Sequence, residues 1–334
     1  MQHSTLAKRA WLLLLLAACA VYFYGLGRLP LVGPDEPRYA QVAREMFLRG
    51  DWVTPTLSGH TWFEKPALLY WMMMAAYGAF GVSEWAARLG SAFSGVLTVL
   101  LVGWLGRRVE RVGGAGRRGL CLAATAVAAT SAGMLVFSRA ASFDVIVTMT
   151  VTLSLACFFV AELERAEGRR RLLLAGFYAG MGASLLAKGL IGVVIPAGIV
   201  ALYFLLRRRW PGLLRIGLHW GPLLVLAVAA VWYAPVIARH GREFVDEFFV
   251  QHHFARYVSN KYKHPQPFYF YVPIMALLAL PWTAFLVAGV GGAWRSNWRA
   301  DEEANKLRVF ALAWVVMPVV FFSLSGSKLP GYIL

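Results

Sequence analysis

Apolar runs of membrane-spanning length recur along the chain, and short clusters of arginine and lysine separate them. A bilayer's hydrocarbon core is about 30 Å thick and takes about 20 apolar residues per helical crossing. The runs that meet this demand are Trp11 to Leu26 and residues 86–106, 119–137, 145–162, 171–187, 189–206, 216–237, 269–290 and 308–324, nine candidate spans in all. The expected fold is therefore all-α, a polytopic helical membrane protein. Only 15% of the 334 residues are charged, against roughly a quarter in an average globular chain, which excludes a soluble enzyme and a disordered tail. Cys19, Cys121 and Cys157 all fall inside apolar runs without ligand-type spacing, so neither a disulfide framework nor a structural zinc site is indicated.

The basic clusters set the orientation. Lys plus Arg outnumber Asp plus Glu by 33 to 17, but the surplus is divided among short loops and does not form one basic face. That is the positive-inside pattern, with no nucleic-acid footprint. Arg107 to Arg118, Glu164 to Arg171, Arg207 to Arg215 and Arg295 to Arg308 are the loops expected on the cytoplasmic side, each pair enclosing two spans. The first run follows Lys8 and Arg9 like a signal-peptide core, but aromatic residues follow Cys19-Ala20 where a cleavage site needs small ones, so it reads as a retained span. Residues 66–82 (PALLYWMMMAAYGAFGV) pose a parity problem: a crossing there would put the Arg107 loop outside. They are expected to lie along the outer leaflet as an interfacial helix. Residues 27–85, the turns near 138–144 and 188–189, the segment 238–268 and the stretch from Ser325 then share the outer side.

Nearly every unusual polar cluster falls on that side. In LVGPDEPRYAQVAREMFLR, Asp35 is placed to cap a helix with Pro37 in its first turn and an apolar face of Val42, Met46 and Phe47. The same segment crowds Asp35, Glu36, Arg38 and Tyr39 at the membrane surface, where a dry setting raises a carboxylate towards general-base range. Glu64 and Lys65 of WFEKP begin the interfacial helix. Lys65 reads either as a snorkelling anchor or as the partner of a lipid phosphate, and Glu64 either balances it or binds a metal. Asp144 sits at the outer end of a span, a depth at which an ionisable group usually has a function, with a structural pair to Arg139 as the alternative. Lys188 alone reads as a headgroup anchor. His252, His253 and His264 accompany Arg256 and seven aromatic residues within 252–271 without the spacing of a local zinc motif. Ser325 to Tyr332 (SGSKLPGY) offers Lys328 and Tyr332 to an anionic group. Together these residues fit a phosphate headgroup presented by a membrane lipid.

The segments GPDEPRYAQVAREM, GDWVTPTLSGHTWFEKPALLYW, RAASFDV, LLAKGLIG, HHFARY with HPQPFYFYVP, and SLSGSKLPGYIL follow one another in this order from about Leu29 to Leu334. In order and spacing they resemble the polyprenyl-phosphate-dependent glycosyltransferases of the GT-C fold, most of all the lipid A 4-amino-4-deoxy-L-arabinose transferases and more distantly the protein O-mannosyltransferases. The resemblance implies a multi-pass enzyme of the bacterial inner membrane, with an outer-face active site and no nucleotide cofactor. It would move a sugar, with inversion, from a polyprenyl-phosphate-linked donor to a lipid A-like, other lipid or protein acceptor. By this likeness Asp35 is the proposed catalytic carboxylate and Asp144 a second acidic position. Lys65, Arg256 and Tyr332 match holders of the carrier phosphate, and Glu64 with His253 matches a divalent-metal position, plausibly zinc. Arg38, Tyr39 and Lys188 fall in matching motifs without an assigned role. Where relatives often have Glu-His this chain has His252-His253, and relatives usually continue into further spans and a soluble outer domain. The expected unit is one GT-C transmembrane domain over 1–334, with outer loops 27–85 and 238–268. The rival reading, a transporter or flippase of an anionic lipid, is disfavoured because midspan charges are almost absent and no inverted repeat is visible.

Overall fold

A computed structural model of the protein describes residues 2–113, 119–210, 212, 215–248, 251, 266–300 and 302–334. Thirteen helices organise the described residues: α1 Gln2–Phe23, α2 Asp35–Arg49, α3 Leu68–Phe80, α4 Glu84–Gly113, α5 Leu120–Thr130, α6 Ala132–Ser138, α7 Phe143–Leu163, α8 Glu167–Lys188, α9 Ile191–Leu206, α10 Gly221–Val245, α11 Tyr271–Leu278, α12 Thr283–Trp294 and α13 Glu303–Ser323. A 3₁₀ turn, Pro330–Ile333, follows, and a two-residue β-hairpin pairs Thr56 with Thr61 and Leu57 with His60. The expected helical class is observed.

Four helical segments are long and apolar enough to cross a membrane, Glu84–Val112, Phe143–Leu163, Gly221–Phe248 and Glu303–Ser323, and counting each of two bent pairs as one span brings the total to six. The expected run 119–137 is the pair α5 and α6, bent by 55°, and the run 269–290 is the pair α11 and α12, bent by 120° and so not one straight span. The reason is local. Ser131 takes an extended backbone between α5 and α6, and Pro281 interrupts the second pair, where it supplies no N–H. The two breaks satisfy one another: Ala132 N–H donates to the Leu280 carbonyl at 2.8 Å, and the Trp282 indole N–H to Thr130 Oγ1 at 2.8 Å. Irregular backbone at such depth persists only where protein covers it.

The α7–α8 pair packs closely. A Cβ at Gly180 would stand 2.9 Å from the Ser154 Cα, and Ser184 Oγ–H donates to Thr150 Oγ1 at 2.8 Å. Small residues let helices approach without a hydrophobic drive, which apolar lipid cannot provide. This contact fixes Asp144, at the start of α7, against Lys188, at the end of α8.

All four basic loops meet at one end of the bundle. Arg207, after α9, lies 3.8 Å from Glu162 at the end of α7 and donates to the Ala300 carbonyl before α13. Arg170 donates to the Arg215 carbonyl at 2.9 Å, and the carboxyl of Glu164, held low first by the Ala166 N–H, also feels Arg169 and Arg108. Asp144 lies at the opposite end of α7, about 27 Å away at 1.5 Å per residue.

At that opposite end, the segment between α1 and α4 folds as a cap. Val42 and Met46 of α2 are fully buried, together with Leu69, Tyr70 and Met73 of α3. At 13 residues α3 is about 20 Å long, short of the hydrocarbon core. The cap is joined to α10: the Trp232 indole N–H donates to the Val53 carbonyl at 2.9 Å, Arg239 pairs with Asp51 at 2.8 Å, and Thr54 bonds His240 at 2.9 Å.

Candidate functional site

Helix α2 begins at Asp35 itself. Its N-cap is Pro34 and no side chain caps it, so the expected capping role of Asp35 is replaced by an ion pair one turn on, with Arg38 Nη1 at 3.5 Å. The Asp35 side chain is 57% exposed, by far the most accessible of the site carboxylates. Arg38 also reaches Glu64 Oε2 at 3.3 Å and lies 5.8 Å from the Trp62 ring centre, while Lys65 Nζ stands 3.3 Å from Glu64 Oε1. Lys65 is thus a half-buried cation paired with Glu64; its side chain is 14% exposed.

Tyr39 sits at the centre of this group. Its ring meets Phe143 edge-on at 4.8 Å between centres. Burial first, then the negative charges of Asp35, Glu64 and Asp144, hold its phenol far above the ordinary range. The hydroxyl therefore stays protonated and can donate a hydrogen bond, but it cannot act as a base. Tyr70 flanks the other side of Phe143 at 5.4 Å, and its hydroxyl is fully buried with no hydrogen-bond partner among the described residues.

The second cluster gathers at the start of α7. Ser142 caps the helix by accepting the Asp144 N–H at 3.1 Å, which presents the Asp144 carboxylate outward from the first turn. Asp144 pairs with Lys188, whose ammonium also lies 4.6 Å from the centre of the Tyr332 ring. The alternative pair with Arg139 is not formed, because Arg139 turns away to donate to the Val21 carbonyl. The Lys188 side chain, read alone as a headgroup anchor, is 10% exposed and engaged by Asp144. The 3₁₀ turn packs Gly331 directly on Asp144, and a Cβ there would collide with the carboxylate. Lys328 is buried on the same loop. Its Nζ donates to the Ser325 carbonyl at 2.7 Å, and no carboxylate among the described residues lies within ion-pair distance.

An apolar groove of about 680 Å³ leads away from this second cluster. Lys188, Gly331 and Tyr332 line its outer end; Val151, Ile195, Leu278, Phe285 and Trp314 line its length; Leu307 and Arg308 line the end near the basic loops. It runs along most of α13, between that helix, α7 and the two bent pairs, and Phe285 is 70% exposed on its flank.

Arg256 and His253 lie outside the described residues. Both oxygens of Glu64 are engaged by Arg38 and Lys65, whose charges oppose a divalent cation, and no group of three His, Cys, Asp or Glu suited to a metal occurs among the described residues. His253, the expected partner of Glu64 in a zinc position, lies outside the described residues, and no chemical step below passes through a metal. Sequence reading missed Arg88 of α4, which forms a buried pair with Glu36 beneath the site. A lone arginine one turn into a predicted span was the available signal.

Comparison with known proteins identifies the family and fold. The family model for dolichyl-phosphate-mannose-protein mannosyltransferase matches residues 9–295. An undecaprenyl phosphate-alpha-4-amino-4-deoxy-L-arabinose arabinosyl transferase of Pseudomonas aeruginosa is 35% identical over 333 residues, covering 98% of this chain and 57% of that protein. The protein of the same name from Erwinia tasmaniensis is 33% identical over 90% of this chain and 52% of its own length. The chain spans a little over half the length of these relatives. Among solved structures, ArnT from Cupriavidus metallidurans bound to undecaprenyl phosphate superposes with a TM-score of 0.85 at 32% identity, over 97% of this chain and 57% of that one. The archaeal oligosaccharyltransferase AglB from Archaeoglobus fulgidus shares the fold, with a TM-score of 0.64 at 16% identity, over 98% of this chain and 49% of that one. With its motifs, fold and matched residues in accord, the chain belongs to the dolichyl-phosphate-mannose-protein mannosyltransferase family.

Proposed function

We propose that the chain forms the donor-binding transmembrane domain, residues 1–334, of a glycosyltransferase that uses a polyprenyl-phosphate-linked sugar. The observation that carries this reading is the apolar groove ending at Lys188 and Tyr332, beside Asp144. An isoprenoid tail suits the groove's lining, and a phosphate suits its outer end, where a cation and a phenol converge. The relatives named for undecaprenyl phosphate aminoarabinose transfer, and the similar structure bound to undecaprenyl phosphate, support the same donor class.

In this reading the phosphate is held by Tyr332 with Lys65 and Arg256, and Lys188, Lys328, Arg38 and Tyr39 supply the surrounding charge and hydrogen bonds. The acceptor oxygen attacks the anomeric carbon from the face opposite the phosphate, with inversion. The bond from that carbon to the phosphate oxygen breaks, and polyprenyl phosphate leaves with the electron pair. Cations fixed at the leaving oxygen stabilise the charge that grows there, usually the largest catalytic contribution. Asp35, exposed and close to Tyr39, orients a hydroxyl acceptor and accepts its proton; a phosphate acceptor such as that of lipid A needs orientation only. Asp144, held by Lys188, positions the leaving side. The site faces the outer side of a bacterial inner membrane, opposite the basic loops. The chain makes nine traversals when each bent pair counts as one, with α3 lying at the interface.

Membranes carrying the chain, supplied with labelled aminoarabinose on undecaprenyl phosphate and with lipid A, test the proposal. Transfer is expected from the wild type, and Asp35→Asn, expressed to the same level, is expected to abolish it. Unaltered turnover by that variant would sink the assignment of Asp35.

A further inference from the structure

Glu36 and Arg88 form a completely satisfied knot between the two carboxylate-bearing segments. The Arg88 guanidinium has five N–H groups, and each has an acceptor. Nε donates to Glu36 Oε1 at 3.0 Å and one Nη2 proton to Glu36 Oε2 at 2.7 Å. The remaining three meet the carbonyls of Pro30 at 2.8 Å, Leu26 at 2.7 Å and Leu29 at 2.8 Å. The Glu36 carboxylate is equally full: Oε1 also accepts the Ala141 N–H at 2.5 Å, and Oε2 the Val32 N–H at 2.7 Å. Both residues are buried, at 6% and 4% exposure. Burial by itself raises the Glu36 carboxyl, but the bonds from Arg88, Val32 and Ala141 outweigh it and keep the group ionised below its ordinary range.

The places tied together give the knot its meaning. Glu36 is the neighbour of Asp35, and Ala141 precedes Asp144 by three residues, so one carboxylate holds the α2 start and the turn into α7 at a fixed separation. Ser91, one helical turn beyond Arg88, secures the same turn by accepting the Ser142 N–H at 3.1 Å, and Ser142 is the residue that caps α7 and sets Asp144. Helix α4 thus presents Arg88 and Ser91 on one face as a ruler between the two acids. Neither residue lines the apolar groove.

We infer that Glu36 and Arg88 are positioning residues for sugar transfer: they set the distance between Asp35 and Asp144 while leaving donor binding to the groove and its cationic end. This rests on the transferase reading above. A buried charge pair with every donor and acceptor used is stiff, and removing one bond leaves others unpaired in a dry place. Lysine in place of Arg88 supplies one point of charge and three donors where five directed ones are required.

The test measures kcat and KM for the undecaprenyl-phosphate-linked aminoarabinose donor in membranes carrying the wild type, Glu36→Gln or Arg88→Lys. Undecaprenyl phosphate binding in the same membranes counts the folded sites. Expected is a fall in kcat of about a hundred-fold, the usual effect of an ångström of misplacement, with donor KM and carrier binding unchanged per folded site. Wild-type turnover per folded site in both variants overturns the inference. So does a loss of carrier binding equal to the loss of turnover, or failure of both variants to fold, because either marks the pair as structural support alone. An inactive wild type contradicts the transferase reading and not the knot, which separates the two failures.

Discussion

Gly331 is the residue at which the 3₁₀ turn meets the Asp144 carboxylate. Any side chain there enters the space of the Asp144 carboxylate and of Phe137 Cε1, which would stand 2.8 Å from the new Cβ. Gly331→Ala is expected to cost about 1–3 kcal/mol, the usual range for overpacking, and to lower sugar transfer further by pushing Asp144 off Lys188. Thermal unfolding and turnover check the two effects separately, with Pro330→Ala as the neighbouring control. The sequence exposed the individual residues of this cluster but not their pairing. Asp144 and Lys188 are 44 positions apart, whereas Arg139 is near Asp144 in sequence, so local reasoning supplies the wrong cation as readily as the right one. Tyr39 was legible as a polar residue of the site, but its place between three carboxylates requires the fold. Arg88 carries no local sign of its partner 52 positions away.

Among the elements, the small hairpin offers a test of electrostatics outside the membrane. Ser58 and Gly59 both take positive φ, as a tight two-residue turn requires, and Glu45 of α2 accepts their N–H groups at 2.8 and 3.2 Å and the Thr56 hydroxyl at 2.6 Å. Burial pushes the Glu45 carboxyl up, but the bonds from Thr56, Gln41, Gly59 and Ser58 prevail and pull it down to about 2. The folded form therefore holds its proton less tightly than the unfolded form, whose value is about 4.3. The clamp contributes its full support above the unfolded value and loses it as pH falls through about 2. Amide exchange at Ser58 and Gly59, corrected for intrinsic rate, is expected to quicken between pH 5 and pH 2, and Glu45→Gln is expected to flatten that dependence. The long apolar helices were legible from apolar run length, α2 from its proline and apolar face, and α3 from the shortness of its run. The hairpin was not, since its strands are two residues long and its turn is held by a side chain from another element. Nor was the bend between α11 and α12: length and hydropathy are scalar quantities, and the 120° break at Pro281 has its freed Leu280 carbonyl met by the Ala132 N–H of α6 across the bundle.

For the whole molecule, the arrangement of charge was the most legible feature. Four basic loops scattered over two hundred positions converge on one end, as positive-inside counting requires, while Asp35, Glu64, Asp144 and Lys188 gather at the other. Single cysteines in a background lacking Cys19, Cys121 and Cys157 test the orientation. A membrane-impermeant maleimide applied from the periplasm is expected to label Ser58→Cys and to spare Arg108→Cys until the membrane is opened; the reverse order would invert the topology. The flank of the groove at Phe285 has a further consequence. On the transferase reading, a carrier that enters sideways from the bilayer never visits bulk water, so its encounter with the protein is a two-dimensional search. The quantity that saturates such an enzyme is the mole fraction of carrier among neighbouring lipids, not its molarity. In detergent, apparent affinity should therefore weaken in proportion as empty micelles are added, whereas membranes concentrate carrier and enzyme in the same thin sheet.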